Sequence, residues 1–330
     1  MKQSSKRKTS LKSSIMILLL VTILLIASSY AWFTSNQTVT VSSLDVSVEA
    51  KNGLQISVDG TNWKSIIQNK DLENASATYS SNVNQIPTQL EPVSTIGQTD
   101  AATGFMNMYY GTVDPDKDGN YILASVKDTE TKGTEGKFIA FDLFFKVEQD
   151  TPVYLSTNSN VEYTEGKSDL GLQNAARVAF VNEGNLPSGS TVSAIQALKG
   201  AVNTYIWEPN YDVHTPAAVS NAYDTYGIET TTSGAAALAY DGIKAEFSKD
   251  VGVKLLRESN AATNSDLFAT VTPNLKTIKD FTANQSLFTL TKGITKMRIY
   301  MWIEGQDVDC ENNASGANIS YNLQITTLDA

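Results

Sequence analysis

Three aspartates stand at alternate positions in the stretch VDPDKDGNYI: Asp114, Asp116 and Asp118, followed by Gly119 and Asn120. In a curled loop alternate side chains converge, and hard carboxylate oxygens suit Ca²⁺. Counted as a calcium loop, the aspartates take positions 1, 3 and 5. Gly119 makes the sharp turn at position 6, and Asn120 offers its carbonyl at position 7. The twelfth position is Ser125, where an EF-hand has a bidentate glutamate, and the flanks read as strands rather than helices. The same residues therefore also suit an acidic hairpin tip in which Asp and Gly simply make the turn.

A second concentration of reactive side chains follows two tryptophans. After Trp207 come Glu208, Asp212 and His214; after Trp302 come Glu304, Asp307, Asp309, Cys310 and Glu311. Brought together, His214, Cys310 and carboxylates could hold zinc or form a thiol–imidazole pair. The chain has one histidine and one cysteine and no HExxH, which is a poor supply for either chemistry. Trp63, Trp207, Trp302, Tyr205 and Tyr300 offer a sugar-stacking platform if exposed, and ordinary sheet packing if not. Trp207, Asp212, Trp302 and Asp307 are thus the candidate binding-loop residues. Both segments fit Y-x-W-x4-D-V at an offset of 95, either an old duplication or two strands meeting the same packing need. No catalytic residue set emerges, and the chain reads as non-enzymatic.

Charge narrows the partners. The first 31 residues hold Lys2, Lys6, Arg7, Lys8 and Lys12 and no acid, leaving 20 basic against 35 acidic residues, a net of −15. A field of that sign repels phosphate backbones and anionic lipid, so nucleic acid is excluded as a partner class. With Cys310 alone there is no intrachain disulfide, and the fold must rest on its core and sheet bonds.

The basic start leads into Ile15 to Ala27, an apolar run broken only by Thr22. It is shorter than the roughly 20 residues of a membrane-spanning helix and has the length of a signal-peptide core. Ser29 and Ala31 supply the small side chains that signal peptidase needs at −3 and −1, which places the cut after Ala31. The alternative is a retained signal anchor, with Tyr30, Trp32 and Phe33 at the interface. The expectation is a signal peptide over 1–31 and a secreted or surface-bound bacterial protein that meets the membrane only through that segment.

The remainder reads as β. Val39, Val41, Leu44, Val46 and Val48 alternate. Leu54, Ile56 and Val58 do so before a turn at Asp59-Gly60. Ile139, Phe141, Leu143, Phe145 and Val147 share one face of a strand whose other face carries Phe138 and Phe144, so that strand is covered on both sides. Met297, Ile299, Met301 and Ile303 alternate with Lys296, Arg298, Tyr300 and Trp302. Ile319, Tyr321, Leu323 and Ile325 alternate with Ser320, Asn322, Gln324 and Thr326. Short helices fit 169–176 and 193–199, and 209–285 is loop-rich. The architecture expected is an all-β antiparallel sandwich or jelly roll, one domain over 32–330 with a loop-rich insertion around 160–285 and a few short helices.

The stretch YAWFTSNQTVTVSSLDVSV resembles the start of the TasA/camelysin group of secreted matrix-fibre proteins, in Ala31, Trp32, Phe33, Val39, Val41 and Ser42-Ser43-Leu44-Asp45-Val46. FIAFDLFFKV and NNASGANISYNLQIT are looser matches, and together they cover about a fifth of the chain. The resemblance implies a jelly-roll fold and a dedicated signal peptidase. It also implies self-association into biofilm fibres by donation of the freed N-terminal strand, with other matrix proteins as further partners. Trp32, Phe33, Val39 and Val41 are then the assembly strand, a form of β-augmentation. On that reading residues 32–48 have no place in the monomer's own sheet. The rival is a monomeric adhesin or carbohydrate-binding module using the tryptophan loops, with glycans as partners.

Overall fold

The computed structural model describes residues 38–48, 53–115, 121–166, 171–254, 259–273, 286–310 and 316–327. The leader, Ser29, Ala31, Trp32 and Phe33 lie outside the described residues, as do Asp116, Asp118, Asn120 and Glu311.

Strands are numbered in chain order. The first sheet contains β1 (Val39–Val48), β3 (Ile66–Gln68), β4 (Gln89–Leu90), β8 (Thr151–Leu155), β9 (Asn160–Gly166), β14 (Phe288–Leu290) and β16 (Ala317–Thr326). Its order is β14-β8-β16-β1-β3, with β9 also beside β16 and β4 also beside β1. The second sheet contains β2 (Gln55–Ser57), β7 (Ile139–Val147), β10 (Ala176–Leu186), β11 (Thr204–Trp207) and β15 (Gly293–Ile303), in the order β11-β10-β15-β7-β2. Among the described strands every pairing is antiparallel except one: β1 runs parallel to β16, from Thr40 opposite Asn318 to Val48 opposite Ile325. The expected wholly antiparallel arrangement is corrected at that pair.

Alternation decides which face meets which. Leu44, Val46 and Val48 of β1 and Ile319, Tyr321, Leu323 and Ile325 of β16 point inward from the first sheet. They meet Phe141, Leu143 and Phe145 of β7 and Met297, Ile299 and Met301 of β15 from the second in one buried core. Each such side chain contributes roughly 1.5–3 kcal/mol on burial. The opposite face of the first sheet carries Ser43, Asp45, Ser47, Ser320, Asn322 and Gln324, all part-exposed, which is the polar-out half of the pattern.

The second sheet is buried on both faces; every residue of β15 is buried. Its outer face is covered by a third layer that includes two antiparallel strand pairs, β5 (Met108–Pro115) with β6 (Tyr121–Asp128), and β12 (Tyr240–Ile243) with β13 (Phe268–Val271). Val93, Met106, Met108 and Tyr240 from this layer pack with Phe138, Ala140, Ala179, Tyr300 and Trp302. The part of 160–285 that supplies β9, β10 and β11 is integral to the two main sheets. The stretch from 209 onward does read as loops, broken by the β12–β13 pair and short helices such as Pro216–Asn221.

The turn at Asp59-Gly60 forms as expected. Gly60 sits at φ 70°, and Asp59 Oδ1 accepts from the backbone N–H groups of Thr61 at 2.8 Å and Asn62 at 2.7 Å. The helix expected at 169–176 is a single 3₁₀ turn, Leu172–Ala175, that runs straight into β10, and that at 193–199 is Val192–Gln196.

Candidate functional site

The assembly strand is the first candidate. Residues 39–48 are not left over: β1 lies between β16 on one side and β3 and β4 on the other. Val39 is buried, and Val41 is part-buried and packs against the core. Val41 N–H donates to the Thr88 carbonyl at 3.0 Å, and the register shifts between Val41 and Ser43. The shift lets the small-residue pair Ser42-Ser43 make a bulge, after which Leu44 faces the core. The expectation that 32–48 has no seat in the monomer is therefore corrected for 39–48. Alternating apolar residues beside an open β16 edge find that edge first within their own chain.

The tryptophan loops are the second. Trp207 and Trp302 are both fully buried, which removes them as an exposed platform. They also point opposite ways. Trp207 pairs with Val178 and faces the inter-sheet core, whereas Trp302 pairs with Arg177 and faces the third layer. The two Y-x-W segments flank β10 one residue out of phase, so they do not share a side-chain direction as copies of one unit would. Tyr205 packs on Phe288 with ring centroids 5.6 Å apart, and Tyr300 is buried, its hydroxyl donating to Glu130 at 2.5 Å. Trp63, half-exposed, lies 5.8 Å from the Lys146 ammonium.

Glu208, Glu304, Asp307 and Asp309 come together around a residue outside both loops. Arg177, near the head of the apolar run RVAFV, is buried. Its Nη2 lies 2.7 Å from Glu208 Oε1 and also pairs with Asp307. Asp309 is placed by its own N–H, which donates to Asp307 Oδ1 at 2.8 Å; its Oδ2 lies 2.6 Å from His214 Nδ1. Trp302 Nε1–H donates to Glu304 at 3.0 Å, so that tryptophan serves the cluster as a hydrogen-bond donor. Asp212 stays half-buried and its carbonyl accepts from Ala235 N–H at 3.3 Å.

One guanidinium and one imidazole face four buried carboxyls here, so protons must remain. Burial pushes Glu208 up to about 7 against the pull of Arg177. It also pushes Glu304 up to about 7, against bonds from Ser94, Trp302 and the Gln306 backbone. Burial raises Asp309 to about 6 although His214 bonds it. Burial alone would lower His214, but the bond and charge of Asp309 outweigh it and hold the imidazole above its ordinary value. Among the described residues no group of three His, Cys, Asp or Glu side chains is arranged to hold a metal ion. Cys310 is buried, and His214 is held through Nδ1 by Asp309.

A parallel cluster stands further along the same outer face of β15. Arg298 Nη1 lies 2.6 Å from Asp142, and Arg298 also pairs with Glu130; Lys296 Nζ lies 2.9 Å from Glu183 and 3.2 Å from Asp142. Tyr79 donates to Asp142 at 2.8 Å. Lys296 and Arg298 thus tie β15 to β7 and β10 within the sheet, and Glu130 and Tyr79 join them from outside it.

For the calcium loop, the strands predicted on its flanks form: β5 and β6 pair up to Pro115 opposite Tyr121. Asp114 sits near the end of β5, and the tip residues Asp116, Asp118 and Asn120 lie outside the described residues. A helix–loop–helix calcium hand is ruled out by that pairing.

Comparison of the chain with family models, with curated proteins and with solved structures gives no match.

Proposed function

We propose that this chain is a secreted, non-catalytic structural protein of the cell surface or extracellular matrix, of jelly-roll type, whose copies join by exchanging β1. The observation that carries the reading is the seat of β1. It is an interior strand of the first sheet, parallel to β16 and antiparallel to β3 and β4. Almost the whole chain separates it from its partner β16, so nothing local holds the pair together. If β1 leaves, Ile319, Tyr321 and Leu323 lose their neighbour and β16 shows a ready edge. The β1 of a second copy fits that slot with the same register and side chains. Head-to-tail exchange of this kind does not close, and it propagates as a filament. Signal removal after Ala31 would free the segment that leads into β1, which makes cleavage the assembly switch.

The adhesin reading loses Trp207 and Trp302 as contact residues, because both are buried. Asp142, Asp307 and Asp309 are engaged in internal pairs, which supports the structural reading over a catalytic one.

The test is negative-stain electron microscopy of protein beginning at Trp32, beside protein beginning at Glu49. The first should grow regular filaments and the second none, with peptide 38–48 restoring its folded circular-dichroism spectrum. Filaments formed equally well without β1 would end the proposal.

A further inference from the structure

Beside the buried acidic cluster lies a cleft that the structural role does not use. It has a volume of about 250 Å³ and is bounded by Tyr226, Tyr240, Asp241, Asn260 and Gln306. For scale, a cavity of about 150 Å³ holds benzene. Three of its polar groups can meet a ligand. Gln306 is 4% exposed, and its Nε2 has no partner among the described residues; neither has the Tyr226 hydroxyl. Each buried donor left unmatched costs roughly 1–3 kcal/mol, so both call for an acceptor from outside the chain. The third group is Asp241. Its Oδ2 accepts from Ser259 Oγ at 2.7 Å and from Ala261 N–H at 3.0 Å, and its Oδ1 accepts from Thr270 Oγ1 at 3.1 Å. Those bonds fix the carboxylate and leave further lone pairs for a ligand donor.

Charge sorts the ligand classes. Asp241, Glu304 and Asp307 all act on the Tyr226 hydroxyl and, after burial itself, hold it protonated. The same field repels an anion, although the two donors alone would welcome a carboxylate. A cation suits the field but offers no acceptor to Tyr226 or Gln306. A neutral group that both donates and accepts at adjacent positions satisfies all three, and vicinal hydroxyls do so. The aromatic lining agrees. Tyr240 spends its hydroxyl on the Thr95 carbonyl at 3.1 Å and has the Arg177 guanidinium 5.8 Å from its ring centroid, so what it adds to the cleft is the rest of its ring surface.

We propose that this cleft binds a single neutral sugar ring, with Tyr226 and Gln306 donating to ring hydroxyls and Asp241 accepting from one. The site does not depend on exchange of β1, and its failure would leave the filament reading untouched.

The test is saturation-transfer NMR followed by calorimetry on the protein beginning at Trp32, with glucose, galactose, mannose and N-acetylglucosamine as probes and acetate and ethylamine as charged controls. At least one sugar should bind saturably, and neither control should compete. Tyr226→Phe and Gln306→Met should each weaken binding by about tenfold, the loss of one hydrogen bond at about 1.4 kcal/mol. Tyr226→Phe removes an unpaired buried hydroxyl and should melt no earlier than the parent, which separates lost binding from lost fold. Absence of saturable binding across the panel, competition by acetate, or unchanged affinity in both variants would each overturn the proposal.

Discussion

Replacing Arg177 by methionine keeps most of the buried stem and removes the charge that Glu208 and Asp307 share. Breaking a buried ion pair from one side costs about 3–5 kcal/mol, because the abandoned charge stays in the interior. Here that cost depends on pH. Glu208 already sits near 7 with the guanidinium in place, so without it the carboxyl holds its proton more firmly still. At pH 8 much of the charge must be borne unpaired or neutralised at about 1.4 kcal/mol per pH unit. At pH 5 the Glu208 side chain is neutral, and what remains is the lost pair with Asp307 together with the lost donation to the Ala176 carbonyl at 3.0 Å and the Asn174 carbonyl at 3.3 Å, the two donations being worth roughly 1–2 kcal/mol. Urea unfolding of parent and Arg177→Met at both pH values, read as midpoint and slope, measures the difference. The expected loss is about 3–5 kcal/mol at pH 8 and smaller at pH 5, by the share that Glu208 carries. Equal losses at the two pH values would refute the charge argument and leave only packing.

The parent itself should lose stability as pH rises from 5 to 8. Glu208, Glu304 and Glu183, each near 7, and Asp309, near 6, hold protons in the folded state that the unfolded chain gives up above about 4.3. His214, raised, loses its stabilising charge over the same upward range, so the signs agree. Below about pH 4 the trend reverses, because Asp59 is drawn down to about 2: hydrogen bonds from Thr78, Asn62 and Thr61 outweigh its burial. Melting temperature against pH should peak between about 4 and 5; a rise from pH 5 to 8 would contradict the buried-proton account. Trp302→Ala should cost about 3–5 kcal/mol in urea unfolding and strip Glu304 of its indole donor, whereas an exposed binding residue would cost almost nothing. Cys310 should react with a thiol reagent far more slowly in native protein than in urea; equal rates would contradict its burial.

The strands that alternate cleanly were legible in the sequence: β1, β7, β15 and β16 fall where Val39–Val48, Ile139–Val147, Met297–Ile303 and Ile319–Thr326 place them. The reason is local, since period two needs no knowledge of the partner strand. Lys296 and Arg298 show where that logic stops. Alternation assigns them to water, yet both are buried, because Asp142, Glu183 and Glu130 arrive from distant segments to meet them. Of the two alternatives open to Trp207 and Trp302, sheet packing is the one realised: Trp207 faces the inter-sheet core, and Trp302 lies under a third layer that leaves no periodic trace in β15 itself. Arg177 carried a faint signal, a lone cation near the head of an apolar strand, which is costly to bury without a partner. The cleft was illegible, since Tyr226, Tyr240, Asn260 and Gln306 belong to four separate stretches.

The central claim is that β1 passes between copies, and the β1–β16 register gives it a direct test. Ser43 stands opposite Ser320, and both are part-exposed on the polar face. Chains carrying Ser43→Cys alone and Ser320→Cys alone would be mixed before assembly, bridged with a short bis-maleimide, and separated on a denaturing gel. Exchange predicts a cross-linked dimer band that appears only in the mixture and only after filaments form, while the double variant in dilute monomer closes on itself. Filaments that yield no such band, with the double variant still closing within one chain, would show that β1 never leaves its own sheet and would contradict the account.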